Sequence, residues 1–201
     1  MTLLHYDIVM IPDADISGDI SILSQQLTKK GTYFTLKDGE YYPHLSLYMV
    51  QIDTNKVPEL ENRLSKIAMR TPPITLTPYE YHQESGYLDI EYAREPLSVQ
   101  LQIDIINAIN PIRDGLREKD KARLDYVVGK ERENIETYGY RSIGELFSPH
   151  ITLTRFVNEQ AIDLAELPNI VRYQTTFSKL GIFELGENGT CVKRIAEFKL
   201  Y

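Results

Sequence analysis

Two of the four histidines in this chain sit in the same five-residue frame. Residues 43–47 read Pro-His-Leu-Ser-Leu and residues 149–153 read Pro-His-Ile-Thr-Leu. At average residue usage a given histidine meets the frame P-H-φ-[S/T]-L by chance less than about once in a thousand times, so two occurrences are hard to assign to accident. Both segments have the short aliphatic character of a strand. Alternation then puts His44 and Ser46 on one face with Leu45 and Leu47 behind them, and His150 and Thr152 on one face with Ile151 and Leu153 behind. If the two strands lie side by side, two imidazoles and two hydroxyls converge on one small volume.

That set suits phosphoryl chemistry. Histidine is the side chain whose ordinary pKa lets one copy be neutral and another protonated near neutral pH. A neutral imidazole can take a proton from water while an imidazolium protonates the departing oxygen. Hydroxyls can donate to the non-bridging phosphate oxygens, where transition-state charge collects. The competing reading of each motif alone is an ordinary half-buried strand histidine beside an ordinary Ser or Thr. A metal centre is disfavoured, because neither histidine has a carboxylate or thiol ligand close by in sequence.

The elements that must position these residues follow from periodicity. Leu3–Ile11 reads as a strand. Ile20, Leu23 and Leu27, after Ser17 and Asp19 and before Gly31, predict a helix. His44–Gln51 reads as the first motif strand, and Pro58 opens a helix with Leu60, Leu64, Ile67 and Ala68 on one face. Ile74–Tyr81 and Gly86–Tyr92 suggest a hairpin turning at His82–Ser85, with Pro78 confining the first arm to an edge or bulge. A helix from Pro96 is apolar around most of its circumference and should be deeply buried, ending near Pro111. Residues 112–146 are dense in mixed charge and read as an exposed helix in a long surface excursion, either a solvated face or a lid over substrate. Strands at His150–Val157, Val171–Leu185 and Cys191–Leu200 close the chain, the last two joined at Asn188-Gly189. Strands and helices interspersed with hairpins indicate an α+β fold with largely antiparallel sheets, in one domain over 1–201.

Among other side chains, alternation places Tyr48 on the face of His44 and Ser46, where it could border the cleft. Tyr42 and Phe156 are candidates to stack on a base, and Arg141 is a candidate phosphate contact. Arg155 falls on the face opposite His150 unless its strand bulges, which favours an unrelated ion pair. His5 and His82 read as structural or exposed. No H-E-x-x-H, Walker loop or G-x-G-x-x-G is present. One cysteine, Cys191, fits a reducing cytosol. With 22 basic against 29 acidic residues the net charge is −7, which disfavours long phosphate polymers relative to a nucleotide or short oligonucleotide end. No stretch approaches a membrane span.

Two H-x-[S/T]-φ motifs, one in each half of a 201-residue chain, resemble the 2H phosphoesterase superfamily, the LigT-like group of RNA 2′,5′-ligases and cyclic phosphodiesterases. The resemblance implies a bilobal, pseudo-twofold α+β fold in which each lobe gives one motif strand to a central cleft. It implies His44 and His150 as the catalytic pair, Ser46 and Thr152 as phosphate-binding hydroxyls, and no metal or other cofactor. Its members act on 2′,3′-cyclic phosphates, ADP-ribose cyclic phosphate or 2′,5′-linked oligonucleotides. The expectation is therefore a cytoplasmic, monomeric phosphodiesterase of a nucleotide or RNA end. A non-catalytic nucleotide- or RNA-binding module and an RNA ligase remain the alternatives. Ser46 stands where Thr is common in the group, and residues 112–146 have no counterpart in its simplest members.

Overall fold

The computed structural model describes residues 2–201. Among these residues nine strands fall into two antiparallel sheets. The first takes β1 (Leu3–Pro12), β3 (Leu45–Asp53), β4 (Ile74–Leu76), β8 (Thr175–Leu185) and β9 (Cys191–Lys199) in the order β3-β1-β8-β4, with β9 also paired to β8. The second takes β2 (Thr32–Thr35), β5 (Pro78–Glu84), β6 (Tyr87–Tyr92) and β7 (His150–Phe156) in the order β2-β7-β6-β5. The motif strands β3 and β7 therefore belong to different sheets and do not pair. They meet through the core instead: Leu45, Leu47, Ile151 and Leu153 are wholly buried in one hydrophobic cluster that runs through both sheets. Burying each such side chain contributes about 1.5–3 kcal/mol.

The helices are α1 (Ala14–Gln26), α2 (Val57–Ala68), α3 (Pro96–Ile109), α4 (Glu118–Arg123) and α5 (Gly129–Tyr138). In α1 the first turn lies ahead of the expected start, with Asp13 at the N-cap and Ser17 inside the helix donating back to the Pro12 carbonyl. In α3 burial is narrower than its all-round apolar sequence suggests. Leu97 is 40% exposed, whereas the polar Ser98 and Gln102 are wholly buried. The expected hairpin arm at 74–81 is divided between the sheets, β4 in the first and β5 in the second, with Pro78 opening the edge strand β5. Its turn is the two-residue Ser85-Gly86, both at positive φ, so His82 lies within β5 and not in the turn.

Residues 112–146 present a largely exposed, charged surface set on a few buried anchors. Ile112, Val127, Ile135, Tyr140 and Ile143 are buried, and the buried Asn134 amide donates to the Arg141 and Ile143 carbonyls. No helix among the described residues is long and apolar enough to cross a membrane.

Candidate active site

Both motif strands carry a β-bulge at the same place. In β3 the partners of Ile8 and Val9 are Tyr48 and Ser46, so Leu47 is passed over; in β7 the partners of Leu88 and Asp89 are Thr154 and Thr152, so Leu153 is passed over. An inserted residue resets alternation beyond it. Tyr48 consequently turns away from the face of His44 and Ser46. It is wholly buried and donates to the Tyr138 carbonyl at 2.6 Å, while Met49 takes its place on the cleft. Arg155, by the same shift, pairs with Tyr87 on the cleft-facing side of the sheet. Its guanidinium lies between the Tyr33 and Tyr87 rings, 5.2 and 5.0 Å from their centroids, donates to Asn188 and pairs with Glu159 at 3.5 Å.

A bulge leaves a carbonyl out of the ladder, and a buried unpaired carbonyl costs about 1–3 kcal/mol. Each of these is met by a buried polar side chain from a helix. Gln102 of α3 donates to Leu47 O at 3.1 Å and Ser24 of α1 donates to Leu153 O at 2.6 Å. Gln102 also donates to Ser142 O and accepts from the Gly144 amide, tying the first bulge to the end of the 112–146 segment.

The two histidines are held alike. His44 Nδ1 is 2.7 Å from Tyr42 O and His150 Nδ1 is 2.8 Å from Ser148 O, each carbonyl lying two residues upstream. A carbonyl only accepts, so each Nδ1 carries hydrogen and each Nε2 is left for chemistry. His44, Ser46, His150 and Thr152 all line one cleft of about 1040 Å³. A second depression, of about 270 Å³ beside Asp13 and Thr175, contains no histidine.

The halves differ in what stands beside the motif. Asp7 of β1 is completely buried; its Oδ2 accepts from Ser46 Oγ at 2.6 Å and lies 3.6 Å from His44 Nε2, while its Oδ1 has no partner among the described residues. Burial pushes the Asp7 carboxyl above its usual range, against the pull of His44, the Ser46 hydrogen bond and Arg117. In the second half Asp89 stands opposite Thr152 in the ladder, and Glu91 opposite His150. Thr152 Oγ1 makes no hydrogen bond among the described residues, so its donor is free, whereas that of Ser46 is taken.

Tertiary folding also brings His44, Asp7 and the buried Cys191 together, their donor atoms within 4.8 Å of one another. Nothing in the neighbouring sequence announces this carboxylate and thiol. Burial, followed by the field of Asp7, pushes the Cys191 thiol well up. An ion held by this trio would occupy His44 Nε2 and withdraw it from proton transfer.

Of the remaining candidates only Arg141 reaches the cleft wall. Phe156 is wholly buried in the core, and Tyr42 packs on Phe183 at 5.1 Å, with the Arg194 guanidinium 4.8 Å from the Tyr42 ring centroid and 5.8 Å from that of Phe183. The aromatics that do line the cleft are Tyr79, Tyr87 and Tyr140. Tyr140 is pushed up to about 12, by burial first and Asp7 second. His5 and His82, read as structural or exposed, line the cleft as well. The missed residues Asp7, Asp89, Arg117 and Lys119 carry no local motif. Asp7 had one signal, a charge inside an apolar strand.

Comparison with known proteins bears on the fold. Crystal structures of E. coli LigT superpose on the whole chain, the apo form with a TM-score of 0.60 at 15% identity, covering 100% of this chain and 99% of that one. The same protein complexed with 3′-AMP gives 0.61 at 16% identity, with 99% of each chain covered. The Thermus thermophilus protein TT0787 gives 0.58 at 12% identity over 98% of each chain. No curated protein matches the sequence. One sequence family does, over residues 50–180, a span that holds the second motif and omits the first. The protein has the α+β fold of the LigT-like 2H phosphoesterases and belongs to the family described as "Protein of unknown function (DUF1045)".

Proposed function

We propose that the protein is a phosphodiesterase that opens a cyclic phosphate, or cleaves a 2′-linked phosphodiester, by acid–base catalysis between His44 and His150. The observation that carries this reading is the matched tethering of the two rings. Both Nδ1 atoms are tied to the backbone carbonyl two residues upstream, leaving two Nε2 atoms and two hydroxyls on one cleft. LigT has been crystallised with phosphate and with 3′-AMP, which supports a nucleotide phosphate as the ligand class.

The halves suggest a division of labour. His150 is half-exposed and reaches solvent, so its Nε2 takes the proton from the attacking water. The water oxygen bonds to phosphorus and the ribose oxygen leaves, receiving a proton from His44 Nε2. The Asp7 carboxylate at 3.6 Å provides a counter-charge for the imidazolium form of His44. Thr152 donates to a non-bridging oxygen. Ser46 joins it only when Asp7 is itself protonated, because Asp7 otherwise holds the Ser46 hydrogen. No step in this reading calls on a metal.

The test is the rate of hydrolysis of 2′,3′-cyclic nucleotides against pH, in chelator. The expected result is a bell-shaped profile, since one ring must be neutral while the other is charged. Binding without turnover would replace this reading with a nucleotide-binding module of the same fold.

A further inference from the structure

The cleft is charged on two sides with opposite sign. One wall, from β5 and β6, presents Glu80, Glu84, Asp89 and Glu91. The 112–146 segment lines the cleft with the cations Arg117, Lys119, Arg123 and Arg141, outnumbering its two carboxylates there, Glu118 and Glu131. In a chain of net charge −7, four cations gathered on one wall call for an explanation.

Their partners account for only part of the charge. Arg117 and Arg123 share a single carboxylate, the wholly buried Asp120, at 2.6 and 2.8 Å. Arg141 pairs with Glu131 at 3.3 Å, and Glu118 is drawn off to Lys121. Lys119 pairs with no carboxylate among the described residues, although it lines the cleft. Desolvation, and then the fields of Arg123, Arg117 and Arg141, push its ammonium below the usual lysine range. Lys119 is exposed, and a cation kept among like charges is a position that an incoming anion relieves.

We infer that Lys119, with Arg123 and Arg141, forms a second anion subsite, and that the substrate is a small phosphodiester bearing an additional phosphate group away from the bond that breaks. This rests on the phosphodiesterase reading for the reacting group, which lies at His44 and His150. The acidic wall repels phosphate, so the extra group has one side of the cleft open to it. A polyanionic strand threading the cleft would meet that wall too, which favours a bisphosphorylated small molecule over an RNA chain.

Binding can be tested without turnover. Calorimetric titration of the full chain with adenosine 3′-monophosphate and with adenosine 3′,5′-bisphosphate compares the same nucleoside with and without a second phosphate. The bisphosphate is expected to bind at least tenfold more tightly, with the advantage shrinking as salt is raised. Lys119→Met should reduce the advantage to threefold or less, and Lys119→Arg should restore it. Equal affinity in the wild type, or an advantage untouched by both Lys119→Met and Arg141→Met, overturns the subsite. Turnover of 2′,3′-cyclic nucleotides is read separately. A Lys119-dependent advantage without turnover upholds the subsite and removes the phosphodiesterase reading, and turnover without the advantage does the reverse.

Discussion

The first and second halves of the cleft are built to one plan and finished differently. Both have a motif strand, an inserted leucine, a helix side chain on the bulge carbonyl, and a histidine tied through Nδ1 to the carbonyl two residues back. In the first half the histidine is buried and a fully buried carboxylate holds the motif hydroxyl; in the second the histidine is half-exposed and the hydroxyl is free. The shared part fixes where the rings stand. The unshared part makes them chemically unequal, as the proposed acid–base pair requires.

The largest effects should come from removing either ring. His44→Ala and His150→Ala are each expected to lower kcat/KM on a cyclic nucleotide by about 10²–10⁴-fold, the range for a positioned proton-transfer group. Because the two act as a unit, the double variant should be only slightly worse than either single one. Multiplicative losses would show that the halves work independently. The hydroxyls sharpen the comparison. Thr152→Val should cost more than Ser46→Ala at neutral pH, by about tenfold, the equivalent of roughly 1.4 kcal/mol. The gap should narrow as the pH is lowered and Asp7 takes up a proton. Equal losses at every pH would contradict the commitment of Ser46 to Asp7.

Stability separates the shared plan from the unshared finish. Ser24→Ala and Gln102→Leu each strip a bulge carbonyl of its buried donor and should cost about 1–3 kcal/mol, seen as about 2–4 °C of Tm per kcal/mol at this chain length. Asp7→Asn acts in only one half, and its sign depends on pH. Burial raises the folded-state value of Asp7 above its ordinary 3.8. Below 3.8 both states hold the proton and Asp7 contributes no pH dependence. As pH rises past that value the unfolded chain loses its proton first, so wild-type stability falls until the folded value is passed. Thermal melts should therefore show Asp7→Asn gaining on the wild type as pH rises from 4 to 7. A constant difference would mean that the carboxyl is not held up by burial.

The motif pair, the strands that bear it and the α+β class were legible because each rests on local pattern. The limits of that legibility lie at Leu47 and Leu153. One extra residue in each strand moves Tyr48 into the core and Arg155 to the cleft side, and simple alternation cannot register it. The donors that sustain the bulges, Ser24 and Gln102, are far away in the chain. Asp7 and Cys191 reach His44 only because β1, β3, β8 and β9 share a sheet. Within the charged run at 112–146 the buried positions are few and spaced, so no local pattern marks them, and the pairing of Arg117 and Arg123 to one buried Asp120 is a tertiary fact.

We propose that two matched imidazoles hydrolyse a phosphodiester in this cleft. Phosphorus NMR of the protein with a 2′,3′-cyclic nucleotide, in chelator and in ¹⁸O-labelled water, tests it most directly. The expected result is replacement of the cyclic resonance by a monophosphate carrying one ¹⁸O, in the wild type and in neither His44→Ala nor His150→Ala. A cyclic resonance left intact by the wild type, or hydrolysis that survives loss of either histidine at full rate, would contradict it.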